Sequence, residues 1–154
     1  MSTPNPDAPT PREAIAALVH RYADAVVRRD PPQWAACWAE DAHWHLGPGR
    51  SVEGRTAITE LWGKAIGQFA AVVHTYNNSE VHVDGTTASG RWYVTEHLRR
   101  MNGDVGLLLA YYDDTYVCLG GEWLFSSRAL VVQYQGPPDL SAPFLNDITR
   151  DAKA

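Results

Sequence analysis

The chain has 154 residues, 45% hydrophobic and 20% charged, with a net charge of -5. That length makes one domain with enough interior to fold without staples. The acidic balance, with no cluster of Lys and Arg, excludes a nucleic-acid surface, and no apolar run is long enough to span a membrane.

Residues 1–9, "MSTPNPDAP", are polar and proline-rich and are expected to form a mobile tail. "TPRE" then starts a helix: Thr10 caps it, Pro11 suits its first position and Glu13 completes a capping box. Ile15, Leu18, Val19, Tyr22 and Val26 follow at helical spacing as one apolar stripe. Asp30-Pro31-Pro32-Gln33 ends that helix and caps a short second one through "QWAACWAE". "DAHWHLG" alternates as a strand, "GPGR" is a loop, and "GRTAITELWGKAIGQF" makes a third helix weakened by Gly63 and Gly67.

From Ala71 the pattern changes. "AVVHTYNNSEVHV" turns at Asp84-Gly85 into "TTASGRWYVTEHLRR", which turns at Asn102-Gly103-Asp104 into "VGLLLAYYDDTYVCL". Gly120-Gly121 then leads into "EWLFSSRALVVQY". Four long strands make an antiparallel meander, and helices packed on one face of a bent sheet give an α+β cone with a small-molecule pocket at its mouth. The expected domain spans residues 10–135, with a tail over 136–154.

Candidate site residues stand out against this frame. Six tryptophans and seven tyrosines point to an aromatic interior, an aromatic-lined pocket, or both. His74 opens an apolar strand; it is a core histidine, a metal ligand or a proton-transfer group. Arg128 sits mid-strand and stays charged if buried, so it needs Asp113, Asp114 or Glu96 as partner, or a bound anion. Tyr22 lies on the core stripe with its hydroxyl able to reach the pocket. Tyr76, Asn77, Asn78 and Tyr112 are further polar candidates. Glu96 and His97 face opposite ways, so only one of them enters the cone.

If Trp44 points inward, His43 and His45 point away, which argues against a metal site shared with His74. No metal and no cofactor are expected. Cys37 and Cys118 have no metal spacing and read as packing residues in a reducing compartment, the cytoplasm. No signal-peptide pattern is present at the N-terminus. Neither G-x-S-x-G nor a phosphate loop occurs.

"RYADAVVRRD", "WAEDAHW", the helix start at Gly54, the His74–Asn78 spacing, "VDG" at the hairpin, "YYDDTY" and "GGEW" occur in an order that resembles the nuclear transport factor 2-like superfamily, in its SnoaL-like branch. The resemblance implies a cone-shaped α+β fold of three N-terminal helices on a strongly curved, mainly antiparallel sheet. Its nearest enzymatic patterns are hexachlorocyclohexane dehydrochlorinase and scytalone dehydratase, which carry out eliminations with a histidine base. By resemblance the base falls on His74, an indole on Trp44, a cation on Arg128, and the dehydrochlorinase's first-helix lysine on Tyr22. A second histidine falls nearest His97, and Asn78 matches a recurrent strand asparagine.

The aspartate that orients the base falls on Val27, which cannot accept a hydrogen bond; Asp24, one turn earlier, is the substitute considered. The expectation is a cofactor-independent lyase, dehydratase or isomerase acting on a small hydrophobic cyclic molecule. His74, Arg128, Tyr22 and Asp24 are its catalytic candidates, and Trp44, Val27, Tyr76, Asn78, Tyr112 and His97 its substrate-binding ones. The alternative is a binding module or scaffold of the same fold. Exposed Tyr and Val on the late strands suggest a homo-oligomer, a dimer or trimer, in either case.

Overall fold

A computed structural model describes residues 5–150. Residues 1–4 and 151–154, parts of the two expected tails, lie outside the described residues. Helix α1 spans Pro11–Arg28. It starts with the anticipated box: the Glu13 amide donates to Thr10 Oγ1 at 3.3 Å, and Glu13 Oε2 accepts from the Thr10 amide at 2.7 Å. Arg29 ends the helix in the left-handed region. Asp30 caps α2 (Pro31–Ala35), accepting from the Gln33 amide at 3.1 Å. Helix α3 spans Arg55–Ile66.

The strands are β1 (Trp38–His45), β2 (Ser51–Glu53), β3 (Phe69–Asp84), β4 (Thr87–Arg100), β5 (Val105–Leu119) and β6 (Glu122–Gly136). They form one unclosed sheet in the order β2-β1-β6-β5-β4-β3. The meander from β3 to β6 is antiparallel, and β1 joins it by pairing parallel to β6. Three helices on a mostly antiparallel curled sheet make this an α+β fold.

Two elements differ from the sequence reading. The second helix stops at Ala35 rather than continuing through "QWAACWAE", because Trp38 pairs with Phe125 of β6 and, with Ala39 and Ala42 of the same strand, is wholly buried. Burial of three side chains outweighs the helix preference of alanine. Ser51–Glu53, to which the sequence reading assigned no element, forms a short strand against His43–His45.

The core is aromatic. Trp34 of α2 is fully buried, stacks on Trp62 of α3 with centroids 4.7 Å apart, and meets Trp38, Trp44 and Tyr22 within 5.4 Å. The two shorter helices are thereby pinned to β1. Deeper in the sheet, Gly90 of β4 lies under the Tyr116 ring: a Cβ there would come within 3.2 Å of Tyr116 Cε2 and Oη and of the Glu80 carbonyl. Gly90→Ala is therefore an overpacking change, expected to destabilise the fold by about 1–3 kcal/mol, measured as a fall in the urea midpoint with the slope unchanged.

Candidate active site

The concave face of the sheet and the helices enclose a chamber of about 170 Å³. Tyr22 and Val26 of α1 face into it one turn apart. Trp44 of β1, Trp62 of α3, Val72 and His74 of β3, Glu96 of β4 and Tyr112 of β5 complete its inner wall.

His74 owes its inward position to a bulge. From Asp84 opposite Thr87 to Ser79 opposite Trp92 the β3–β4 ladder runs unbroken; it then slips so that Tyr76 faces Val94 and His74 faces Glu96. Asn77 and Asn78 together oppose Tyr93. An unbroken ladder would set His74 opposite the outward-facing His97 and turn His74 outward as well. The slip reverses the facing of everything N-terminal to it, so Val81 is buried on one side of the bulge and Val72 and His74 on the other.

The result is a buried imidazole beside a partly buried carboxyl. His74 Nδ1 lies 3.5 Å from Glu96 Oε2, with side chains 5% and 16% exposed. Neither ring nitrogen has a hydrogen-bond partner in the protein. Burial, and after it the positive charge of Arg128, depresses the His74 pKa to about 3. Burial raises Glu96 to about 7, partly offset by Arg100. Between about pH 3 and pH 7 the imidazole is therefore neutral while the carboxyl holds its proton; above that range the carboxylate is free to accept from Nδ1–H. The His74 ring also stacks on Tyr76 at 5.1 Å and meets the edge of Tyr22 at 6.0 Å.

Arg128 lies behind this wall. It is 0% exposed and forms a two-pronged pair with Asp114, Nε to Oδ1 at 2.8 Å and Nη2 to Oδ2 at 3.1 Å. Tyr116 donates to the same carboxylate at 2.8 Å, and Arg128 Nη1 donates to Tyr76 Oη at 3.0 Å. The guanidinium carbon lies 3.9 Å from the Tyr112 ring centre, 4.2 Å from that of Phe125 and 4.5 Å from that of Tyr22. Of the acids named from sequence, Asp114 is the partner, because it sits directly across from Arg128 on β5 and faces the same way. Asp113 points outward and pairs with Arg91. Burial raises the pKa of Tyr22 and of Tyr112, so both hydroxyls remain protonated donors at neutral pH.

The other candidates lie elsewhere. Asp24 is exposed on the outer side of α1, held by Gln33 at 2.8 Å and Arg28 at 3.3 Å, so it cannot orient His74. Val27 is 43% exposed and does not line the chamber; Val26 does. His97 is exposed on the convex face, where β4 alternation puts the neighbour of an inward Glu96. Asn78 is exposed at the bulge. Trp44 is buried with His43 exposed beside it. Sequence reasoning left the facing of Glu96 and His97 open and carried His97 as the substrate-binding candidate; alternation along β4 from the buried Trp92 and Val94 decides for Glu96, whereas the bulge that turns His74 inward carries no signature beyond the paired asparagines.

Comparison with known proteins returned a consistent picture. The profile of the SnoaL-like domain matches residues 9–129. A structure described as that of a scytalone dehydratase candidate from Novosphingobium aromaticivorans is 27% identical, with 90% of this chain and 93% of that one aligned at a TM-score of 0.77. A hexachlorocyclohexane dehydrochlorinase (LinA) of type 2 is 22% identical over 82% of this chain and 87% of the other, with a TM-score of 0.76. LinA-type3 from Novosphingobium barchaimii is 21% identical over 86% and 92%, also at 0.76. At these identities the dehydrochlorinases share the fold. No protein of curated function matches.

Two measurements test this geometry. Asp114→Ala leaves a buried guanidinium without its counter-ion and is expected to cost about 3–5 kcal/mol in urea unfolding, whereas the double replacement Asp114→Leu with Arg128→Met costs less than the single one. In NMR titration the His74 ring stays neutral from pH 7 down to about pH 4; titration near 6.5 would show a solvated ring.

Proposed function

The chain belongs to the SnoaL-like domain family, and from that premise we propose that it is a cofactor-independent acid–base enzyme of the lyase, dehydratase or isomerase kind. Its substrate is a small hydrophobic cyclic molecule held in the chamber. The observation that carries this reading is the His74–Glu96 pair, a buried proton acceptor and a partly buried carboxyl set side by side on the chamber wall. An apolar cavity of about 150 Å³ is enough to hold benzene, so a chamber of this size suits a single substituted ring.

In this mechanism the Glu96 carboxylate accepts from Nδ1–H and leaves the lone pair on Nε2. Nε2 removes a proton from an activated C–H of the ring. As the imidazolium forms, Glu96 stabilises it, doing from the neighbouring strand what a first-helix aspartate does in the dehydrochlorinase pattern. The electron pair left on carbon either expels a leaving group from the adjacent carbon, as elimination, or shifts the double bond, as isomerisation. The imidazolium then returns its proton to the leaving group or to a second carbon. Tyr22 and Tyr112 donate hydrogen bonds to the developing negative charge. Arg128 does not line the chamber; it acts through the tyrosines whose rings it touches. Trp44 and Trp62 hold the ring and exclude water.

The same reading has the protein in the reducing cytoplasm, consistent with its free cysteines Cys37 and Cys118, as a homo-oligomer. A second reading, a binding module, draws on the 3.5 Å gap between His74 and Glu96, longer than a formed hydrogen bond. Screening cyclic compounds for binding and then for turnover separates the two.

On a turned-over compound, His74→Ala and Glu96→Gln should each lower kcat/KM by about 10²- to 10⁴-fold while leaving binding in place. Because the active form carries ionised Glu96, whose pKa is raised to about 7, log(kcat/KM) should climb with unit slope up to about pH 7 and stay flat above it. Glu96→Gln should abolish that inflection. Full activity in His74→Ala would overturn the mechanism.

A further inference from the structure

The net charge of the chain is -5, yet one arginine lines the chamber and two more contact its lining residues. Arg50 is exposed and lines the chamber. Arg29 reaches back from the end of α1, donating through Nη1 to the Ile66 carbonyl at 3.0 Å and through Nη2 to the Phe69 carbonyl. Ile66 and Phe69 both line the chamber. The Arg100 guanidinium lies 5.4 Å from the centre of the Phe69 ring.

Among the described residues, none of these three guanidinium groups comes within 4.0 Å of a carboxylate, whereas Arg28, Arg91 and Arg128 each do. Arg29 spends donors on two carbonyls and Arg100 lies over a ring, so both have structural employment. Arg50 has neither, and it is the one of the three that belongs to the chamber wall. An exposed guanidinium is solvated and needs no protein counter-ion, so Arg50 is free to pair with a ligand at the edge of the cavity. Its position suits an anion whose apolar remainder lies inside, since the low-dielectric wall concentrates the field at the opening.

We propose that the ligand is a monocyclic carboxylic acid, its ring in the chamber and its carboxylate paired with the Arg50 guanidinium at the mouth, with Arg29 and Arg100 adding attractive potential. The proposal rests on the chamber being a ligand site, as argued under the proposed function, and deepens that reading by naming the substrate class. The planar fork of Arg50 matches a carboxylate through two parallel hydrogen bonds, which a neutral ester cannot return with equal strength. The ring end then lies toward His74 and Glu96, so the group that recognises the substrate and the group that reacts with it are at opposite ends of one small molecule.

The test reads binding by quenching of Trp44 and Trp62, using cyclohexanecarboxylate and its methyl ester as probes on the full chain. At low salt the acid is expected to bind about tenfold more tightly than the ester, a difference that shrinks at high salt. Arg50→Gln should bring acid and ester to equal affinity, leaving the ester unchanged, and Arg50→Lys should restore part of the preference. Arg50 is exposed, and an unaltered urea midpoint confirms that the variants fold. Equal affinities in the parent, or a preference that survives Arg50→Gln, overturn the proposal and leave the chamber standing as a ligand site. Binding of neither probe overturns both.

Discussion

The Arg128–Asp114 pair is the constraint around which the site is arranged. A guanidinium does not give up its proton, so burying one obliges the surrounding strands to supply an anion and to fill the remaining directions with groups that tolerate a cation. Asp114 supplies the anion from the opposing position on β5, and Tyr116 locks that carboxylate in place. Tyr22, Tyr76, Tyr112 and Phe125 supply the faces. Three of those four rings belong to tyrosines, and two of them, Tyr22 and Tyr112, also form the chamber wall. The cation thus fixes where the phenols stand, and its charge adds to the burial that keeps His74 neutral. Removing it would alter the packing and the protonation of the chamber together.

A similar economy applies to the imidazole. In the dehydrochlorinase pattern that the sequence resembles, the orienting carboxylate is expected on the first helix. Here that helix presents Val26 to the chamber, and a cross-strand carboxyl stands beside the ring instead. Cross-strand neighbours have their geometry set by backbone pairing, independent of how a helix docks. The pair is therefore as rigid as the β3–β4 ladder that carries it.

Much of the architecture was legible in the sequence because its signals are local. The capping box at Thr10, the Asp84-Gly85 hairpin and the alternation along four strands each depend on a few neighbouring residues. Arg128's need for an acidic partner was also readable, since charge burial is a property of one side chain; choosing Asp114 over Asp113 needed only strand parity. The helix–strand boundary at Trp38 was less accessible, because pairing with a strand nearly ninety residues later decides it. The inward facing of His74 was hidden for a related reason. It turns on one extra residue in β3, and Asn77-Asn78 is as compatible with a regular strand as with a bulge. Asp24 failed as a substitute because helix rotation is set by the whole stripe from Ile15 to Val26, which leaves that position in solvent.

The placement of β6 has a consequence for how the chain is made. The strand synthesised last of the six lies third in the sheet, between β1 and β5. Until residues 122–136 emerge from the ribosome, β1 has no parallel neighbour and Trp38 and Trp44 have nothing to cover them on that side. A nascent chain of this protein therefore carries an open, tryptophan-rich edge through most of its translation. The residue that closes the edge, Arg128, is the same one whose arrival completes the interior.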